Sequence, residues 1–337
     1  FTPETGSGAI SYVDSAGNTS DNGYRTGNFT YKLIDNTGTL NDDAITSVVG
    51  SDGTYADGIL TTTTPDYSNY WVNTTVDAEA LPAGRKYYIN GGTLNVGTDA
   101  ANILKTAVGS SGILNITANC VTTGDTGLTT QFEGTLALAS GVSLTLGKES
   151  AGGEGDYKVI NTSSLTAVHL YGGSTLNYHG NGVTTLKNLT VKDGTATLHF
   201  IDANDDNTVQ IAGVTTLTGS LNVTSQYDGA IAFERLTGAG NMTVSNSTGG
   251  SEGYVFRVNS LQGYGGKLSL TKSGGSFAAT VSTGTESVSF KGIAVDSSVN
   301  LGLNVQSAVT MSEGLSLSNG SNATVAIASG ASLSGAV

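Results

Sequence analysis

The hydrophobic residues of this 337-residue chain lie in short runs in which apolar and small polar side chains alternate. In TGSLNVT, which begins at residue 218, Leu221 and Val223 fall on one side of an extended strand, and the polar residues between them fall on the other. The runs are rich in Val, Leu, Ile and Thr and are bounded by Gly, Asn or Asp. This pattern predicts an all-β fold with very little helix.

The alternating runs recur at a regular interval. A glycine precedes them at positions 92, 112 and 134, and again at 219 and 240, which gives steps of 20, 22 and 21 residues. Such a period is typical of a solenoid, in which each coil buries its apolar face against its neighbours. We expect each glycine to turn the chain through a positive φ. The repeat therefore predicts a mostly parallel, right-handed β-helix over residues 91–337, although the frequent NG, DG and GG pairs leave a β-sandwich open.

Residues 1–90 have a different composition. They hold all three prolines and the single tryptophan, Trp71. A solenoid needs its first coil covered, so this segment is predicted to be an N-terminal β-rich cap or subdomain. Its aromatic residues are expected to form the core of the cap, with a sugar-stacking surface as the alternative use; they are Tyr24, Tyr31, Tyr67, Tyr70 and Trp71.

One short helix is predicted in DAANILKTAVG. Asp99 is placed to cap its first turn, Ile103 and Ala107 lie on one face, and Gly109 closes it. The lone cysteine, Cys120, excludes an internal disulfide and a cysteine-based zinc site. It is expected to be a small buried apolar residue.

The charge of the chain limits its partners. The net charge is −13, and residues 1–80 carry 11 acidic side chains against Arg25 and Lys32, a net −9. Nucleic acid and anionic membrane surfaces are repelled by such a chain. No run of 18 or more apolar residues is present, so we expect no direct membrane insertion of this segment. No organic cofactor is implied.

Two phrases, LTGAGNMTVSN at residue 236 and YGGKLSLTKSGGSF at residue 264, resemble the glycine-punctuated repeats of autotransporter-type passenger domains of Gram-negative bacteria. The resemblance covers roughly residues 90–337. It implies a β-solenoid that is secreted or held at the outer-membrane surface, and no particular activity. The expected function is an adhesin-like interaction module whose partner is a host or matrix glycoprotein or glycan.

The tripeptide Asp125-Thr126-Gly127 matches the catalytic loop of aspartic peptidases. That chemistry needs two carboxylates sharing one proton, and the candidates for the second are Asp35, Asp14 and Asp21. In a chain this rich in Asp, Thr, Ser and Gly, one such tripeptide is expected from composition, and an Asx-turn at a strand corner is the favoured interpretation. The chain is also similar in character to exported proteins of mucus-dwelling gut bacteria, which adds a secreted aspartic-type endopeptidase acting on mucin as the alternative function.

Other candidate sites carry weaker signals. Asp202, Asn204 and Asp206 occupy alternate positions, as in a calcium loop, but no closing Glu follows, and a solvated acidic turn is the competing interpretation. A glycan hydrolase or lyase, the third function, would use a trio of Asp228, Glu234 and Arg235. The histidines are predicted to be outward-facing strand residues rather than metal ligands; they are His169, His179 and His199.

Overall fold

Inward apolar and outward polar side chains alternate along most of the strands whose side chains the structure describes. The computed structural model describes residues 69–81, 86–122, 131–146, 164–179, 183–201, 208–225, 229–246, 254–272 and 277–335, together with six short strands before residue 62.

The N-terminal strands form small sheets. The first nine strands are β1 (Ile10–Ser11), β2 (Gly23–Tyr24), β3 (Thr30–Lys32), β4 (Val48–Val49), β5 (Thr54–Ala56), β6 (Ile59–Thr61), β7 (Asn69–Val72), β8 (Thr75–Asp77) and β9 (Lys86–Ile89). β1 pairs with β4, β6 lies between β3 and β5, and β7 lies between β2 and β9. A 3₁₀ turn, Ala78–Ala80, follows β8. The division of the chain at residue 90 stays a prediction.

Two long parallel sheets make up the solenoid. β8 begins a thirteen-stranded sheet, whose other strands are β10 (Thr93–Val96), β11 (Ile113–Ile116), β13 (Thr135–Leu138), β15 (Ala167–Leu170), β17 (Val183–Leu186), β18 (Leu189–Val191), β20 (Thr208–Leu217), β22 (Gly229–Thr237), β24 (Tyr254–Val258), β26 (Phe277–Ser282), β28 (Val299–Val305) and β30 (Asn322–Ile327). The ten-stranded sheet contains β12 (Cys120–Val121), β14 (Ser143–Leu146), β16 (Thr175–His179), β19 (Thr195–Ile201), β21 (Ser220–Ser225), β23 (Met242–Asn246), β25 (Lys267–Lys272), β27 (Val288–Val295), β29 (Ala308–Leu317) and β31 (Ser332–Ser334).

The chain passes from a strand of one sheet to a strand of the other and pairs in register with the coil before it. Leu94, Leu114 and Leu136 stand opposite one another on consecutive strands and are fully buried. Such rows fill the space between the sheets with side chains from every coil. The result is a parallel β-solenoid of about nine turns. The all-β and β-solenoid predictions are confirmed, and the sandwich is wrong because the strands of both long sheets pair in parallel.

The periodic glycines hold the coils close together. A Cβ on Gly240 would lie 1.8 Å from the carbonyl oxygen of Gly219, and a Cβ on Gly266 would lie 1.9 Å from that of Gly240. Gly240 itself has no positive φ. The expectation that each of these glycines turns the chain through a positive φ is therefore wrong for this position, where the side chain is excluded by the backbone of the preceding coil.

The predicted helix is present as α1, Ala100–Thr106, and it packs against β9 and β12. Ile103 and Ala107 are buried, as expected from their spacing. The expected cap differs, because Asp99 makes no side-chain bond to the helix backbone, and its Oδ1 accepts a 2.7 Å hydrogen bond from Asn102 Nδ2. Cys120, at the start of β12, is buried as predicted, and burial raises the pKa of its thiol.

Candidate interaction surface

Four carboxylates are the candidates for peptidase chemistry. Asp125 falls in the chain between β12 and β13, and it lies outside the described residues, as do Asp14, Asp21 and Asp35. The calcium candidates between β19 and β20 also lie outside the described residues; they are Asp202, Asn204 and Asp206. Both sites stay predictions.

The remaining candidates are the glycan-hydrolase trio and the histidines, and Glu234 and Arg235 of the trio lie on β22. Asp228 lies outside the described residues, while Glu234 on β22 accepts a 2.8 Å hydrogen bond at Oε2 from Asn259 Nδ2. His169 and His199 occupy outward positions of different sheets, as predicted for strand residues. Within the described ranges, no group of three or more His, Cys, Asp or Glu side chains is placed to hold a metal ion.

The aromatic residues of the N-terminal segment divide between core and surface. Tyr70 is buried, as predicted, but Trp71 points outward from β7 and is only half-buried. Trp71 stacks on Tyr88 of β9, with ring centroids 4.7 Å apart and planes 8° apart, and Lys86 Nζ lies 5.4 Å from the Tyr88 centroid. The prediction that Trp71 is a core residue is wrong, because Tyr70 and Val72 occupy the inward positions of this strand.

The most regular surface of the solenoid is the outward face of the ten-stranded sheet. Two rows of side chains run across six consecutive strands, β14 to β25, with each residue opposite its counterpart on the next strand. The first row is Ser143, Thr175, Thr197, Asn222, Thr243 and Ser269; the second is Thr145, Asn177, His199, Thr224, Ser245 and Thr271. We call these twelve residues the Ser/Thr/Asn face. All are half-buried, and neither row contains Asp, Glu, Lys or Arg.

This face follows from the two-residue period of a strand. In TLNY at residue 175, the buried Leu176 and Tyr178 leave Thr175 and Asn177 pointing outward, and SLNV at residue 220 repeats the arrangement. Because the strands are parallel and in register, equivalent side chains stack at the strand spacing of about 4.8 Å. The sequence alone indicates the alternation but not which distant strands become neighbours.

Hydrogen bonds between strands order the Ser/Thr/Asn face. Asn177 Nδ2 donates to Ser143 Oγ at 3.0 Å and to Thr145 Oγ1 at 3.1 Å, so one amide joins both rows. His199 Nδ1 and Thr224 Oγ1 form a hydrogen bond between the next two coils. Since a hydroxyl group has one donor and two acceptor positions, a hydroxyl that makes one such bond keeps capacity for a ligand.

Charged groups stand at the border of this face. Lys267 Nζ lies 2.8 Å from Glu313 Oε2, across the intervening strand β27, and Lys291 Nζ donates to Asn241 Oδ1 at 3.4 Å. The hydrogen bond from Lys267, together with the charges of Lys267 and Lys291, lowers the pKa of Glu313. Glu313 therefore stays ionised, and the cluster marks where the uncharged surface ends.

The thirteen-stranded sheet presents a less uniform outward face. Asn115 Nδ2 donates to Asn95 Oδ1 at 2.8 Å, and Asn95 Nδ2 donates to Asp77 Oδ1 at 2.7 Å, which makes a short amide ladder. The ladder stops at Ala137, beyond which His169 follows in the same row. Burial, with a smaller contribution from the charge of Lys192, lowers the pKa of His169 to about 4.

The chain matches no protein-family model, no curated protein and no solved structure. Among the residues that the structure describes, no helix is long and apolar enough to cross a membrane.

Proposed function

We propose that this protein is a secreted or surface-exposed interaction module whose Ser/Thr/Asn face binds the glycan chains of host or matrix glycoproteins. The observation that carries the proposal is the pair of uncharged polar rows, in register over six strands. In a chain with a net charge of −13, the absence of charge from both rows sets this surface apart.

The chemistry of the face suits a ligand that is itself covered with hydroxyl and amide groups. Each new hydrogen bond between neutral groups contributes only about 0.5–1.5 kcal/mol, because both partners give up bonds to water. A single sugar would therefore bind weakly. Rows that repeat at about 4.8 Å allow a chain of linked sugars to make several such bonds at once, and clustered glycans on one polypeptide add multivalency.

Hydrogen bonds within the Ser/Thr/Asn face favour a ligand-binding surface over one that only contacts water. The bonds of Asn177 to Ser143 and Thr145 restrict three of the side chains before a ligand arrives. Side chains that are already fixed lose less conformational entropy on binding. The face therefore combines many weak donors and acceptors with a low cost of ordering.

A binding assay with a matched pair of variants tests the proposal. Thr243 lies on β23 as the fifth of the six residues in the first row, and Thr280 lies on β26 in the other sheet, where its side chain points outward. An arginine at either position projects from a sheet, but only Thr243→Arg obstructs the rows. On immobilised desialylated mucin, we expect Thr243→Arg to weaken binding at least about tenfold, a loss of about 1.4 kcal/mol, with Thr280→Arg close to wild type.

Two results would contradict the proposal. Equal binding by wild type and both variants would show that the Ser/Thr/Asn face does not carry the interaction. Mucin that is cut during the assay, in a way that pepstatin blocks and Asp125→Asn abolishes, would favour the aspartic peptidase instead.

A further inference from the structure

A group of hydrogen-bond donors stands beside the part of the Ser/Thr/Asn face that β23 and β25 form. It consists of Lys267 on β25, Lys291 on β27 and Asn241, the residue just before β23, and we call these three residues the donor cluster. Asn241 precedes Thr243 by two positions, and Lys267 precedes Ser269 by two positions, so each lies on the same side of the sheet as a residue of the first row. Two residues of a strand span about 6.5 Å, which leaves the cluster directly beside the row.

A β-bulge gives this border its shape. The pairing of β27 with β29 shifts register between Phe290 and Gly292, so that Lys291 alone stands opposite Ser312 and Glu313. Both of these residues of β29 are exposed, and Lys291 also points outward. Bulges commonly re-aim side chains in this way. Here the bulge brings Glu313 within reach of Lys267 across the intervening strand.

The donor cluster has more donors than the described protein uses. Lys267 Nζ bonds Glu313 Oε2 at 2.8 Å, and Lys291 Nζ donates to Asn241 Oδ1 at 3.4 Å, which is longer than the usual N–H···O range of about 2.7–3.2 Å. Each ammonium group has three N–H donors. Among the residues that the structure describes, Asn241 Nδ2 has no hydrogen-bond partner. Two ammonium groups therefore share one carboxylate, and an excess of positive charge and of N–H donors remains.

We propose that the donor cluster binds the carboxylate of a terminal sialic acid, on a glycan whose neutral sugars lie along the Ser/Thr/Asn face. This inference rests on the proposed function, because it assigns one end of the same ligand. An ionised carboxylate only accepts hydrogen bonds, and its bonds to ammonium groups are stronger than bonds between neutral groups. The cluster supplies the complementary set of donors.

The distribution of charge favours a glycan with one acid at its end. Neither row of the Ser/Thr/Asn face contains Lys or Arg, so a polysaccharide with a carboxylate at regular intervals would place most of its charges on a surface without cations. The net charge of −13 does not prevent local binding of an anion. At physiological ionic strength, charges more than about 8 Å away are largely screened, and the nearby lysines dominate.

Intact and sialidase-treated mucin separate this subsite from the neutral rows. At roughly 50 mM NaCl, wild type is expected to bind intact mucin at least about threefold more tightly than desialylated mucin, and this preference should vanish at roughly 500 mM NaCl. Lys291→Gln removes the charge and is expected to bring the two affinities within about 1.5-fold, with binding to desialylated mucin unchanged. Lys187→Gln, at an exposed position between β17 and β18, is the matched control and is expected to keep the preference.

Glu313→Gln tests the same subsite in the opposite direction. Removing this carboxylate releases Lys267 from its ion pair, so the preference for intact mucin should rise at least about twofold. A variant that merely disturbed the fold would lower binding to both mucins. Circular dichroism checks that each variant is folded.

The outcomes distinguish the two proposals. Equal binding of both mucins by wild type at low salt, or the same preference in Lys291→Gln as in Lys187→Gln, would overturn the sialic acid proposal and leave the glycan proposal standing. Binding of intact mucin alone, lost in Lys291→Gln, would support the donor cluster and refute the neutral rows. Tighter binding of hyaluronan, whose carboxylates repeat along the chain, than of intact mucin would overturn the assignment to a terminal acid. A chain that binds none of these probes would refute both proposals.

Discussion

At the scale of single residues, polar side chains connect coils that are distant in sequence. Asn188, between β17 and β18, accepts a 2.9 Å hydrogen bond at Oδ1 from the Val214 amide, and its Nδ2 donates to the Thr166 carbonyl at 3.0 Å. It thereby joins three coils. Although Asn188 is only half-buried, its two hydrogen bonds reach backbone groups of neighbouring coils, so a side chain of this kind helps to fix how the coils align.

His169 makes stability depend on pH. Its pKa in the folded protein is about 4, below the ordinary 6.5, because burial disfavours the imidazolium. Between these two values the unfolded chain binds more protons, so this residue lowers the free energy of unfolding as the pH falls from about 6.5 to about 4. We expect His169→Gln to reduce that loss by about 1–2 kcal/mol, allowing for partial screening at a half-buried site.

Urea denaturation of both proteins at several pH values measures this effect. The difference between wild type and His169→Gln removes the contribution of carboxylates that titrate over the same range. Parallel stability curves for the two proteins would show that the pKa of His169 is not lowered by folding.

At the scale of elements, alternation and glycine spacing determine the strands. β10 and β21 are strands in which polar and apolar residues alternate strictly, and both have their apolar side chains buried. The periodic glycines mark where one coil touches the next. Glycine is therefore required at these positions because the coils pack closely. A pair of alanine substitutions distinguishes this packing requirement from a requirement for a positive φ.

Gly240→Ala is expected to lower the free energy of unfolding by about 3 kcal/mol or more, because its Cβ would lie 1.8 Å from the Gly219 carbonyl oxygen and the backbone must move. Gly320 provides the control. Its φ is +86°, and a Cβ there meets nothing within 4 Å, so Gly320→Ala carries only the conformational cost of about 1 kcal/mol. Chemical denaturation compares the two, and equal losses would mean that the contact between coils does not constrain Gly240.

The limits of prediction follow from the same physics. Strands and α1 were predictable because their signals are local, with apolar residues spaced at the period of the element. The register of the strands was not predictable, because it depends on contacts between residues far apart in sequence. The hydrogen bond between Asn188 and Val214, for example, joins residues 26 positions apart. Trp71 was assigned to the core because large aromatic residues are usually buried, whereas its place on β7 turns it outward. Ladders of Asn and Thr on the solenoid surface are expected from the sequence, but the particular residues of the Ser/Thr/Asn face could not be named, because small polar residues carry no motif until the strands are aligned.

At the scale of the whole molecule, charged residues are distributed unevenly along the sequence. The acidic excess belongs to the N-terminal quarter, the pair of Lys267 and Glu313 stands at the border of the Ser/Thr/Asn face, and the last coil carries no charge. The solenoid thus presents a long neutral polar surface along its side. This surface is the one proposed to bind glycans.

The salt dependence of mucin binding tests the central claim most directly. If neutral hydrogen bonds on the Ser/Thr/Asn face carry the interaction, the affinity for desialylated mucin should change by less than about twofold between roughly 50 and 500 mM NaCl, since screening acts on charged contacts. Thr243→Arg should remain weak throughout. A loss of affinity of about tenfold or more across this range would contradict the account and would assign binding to charged groups instead.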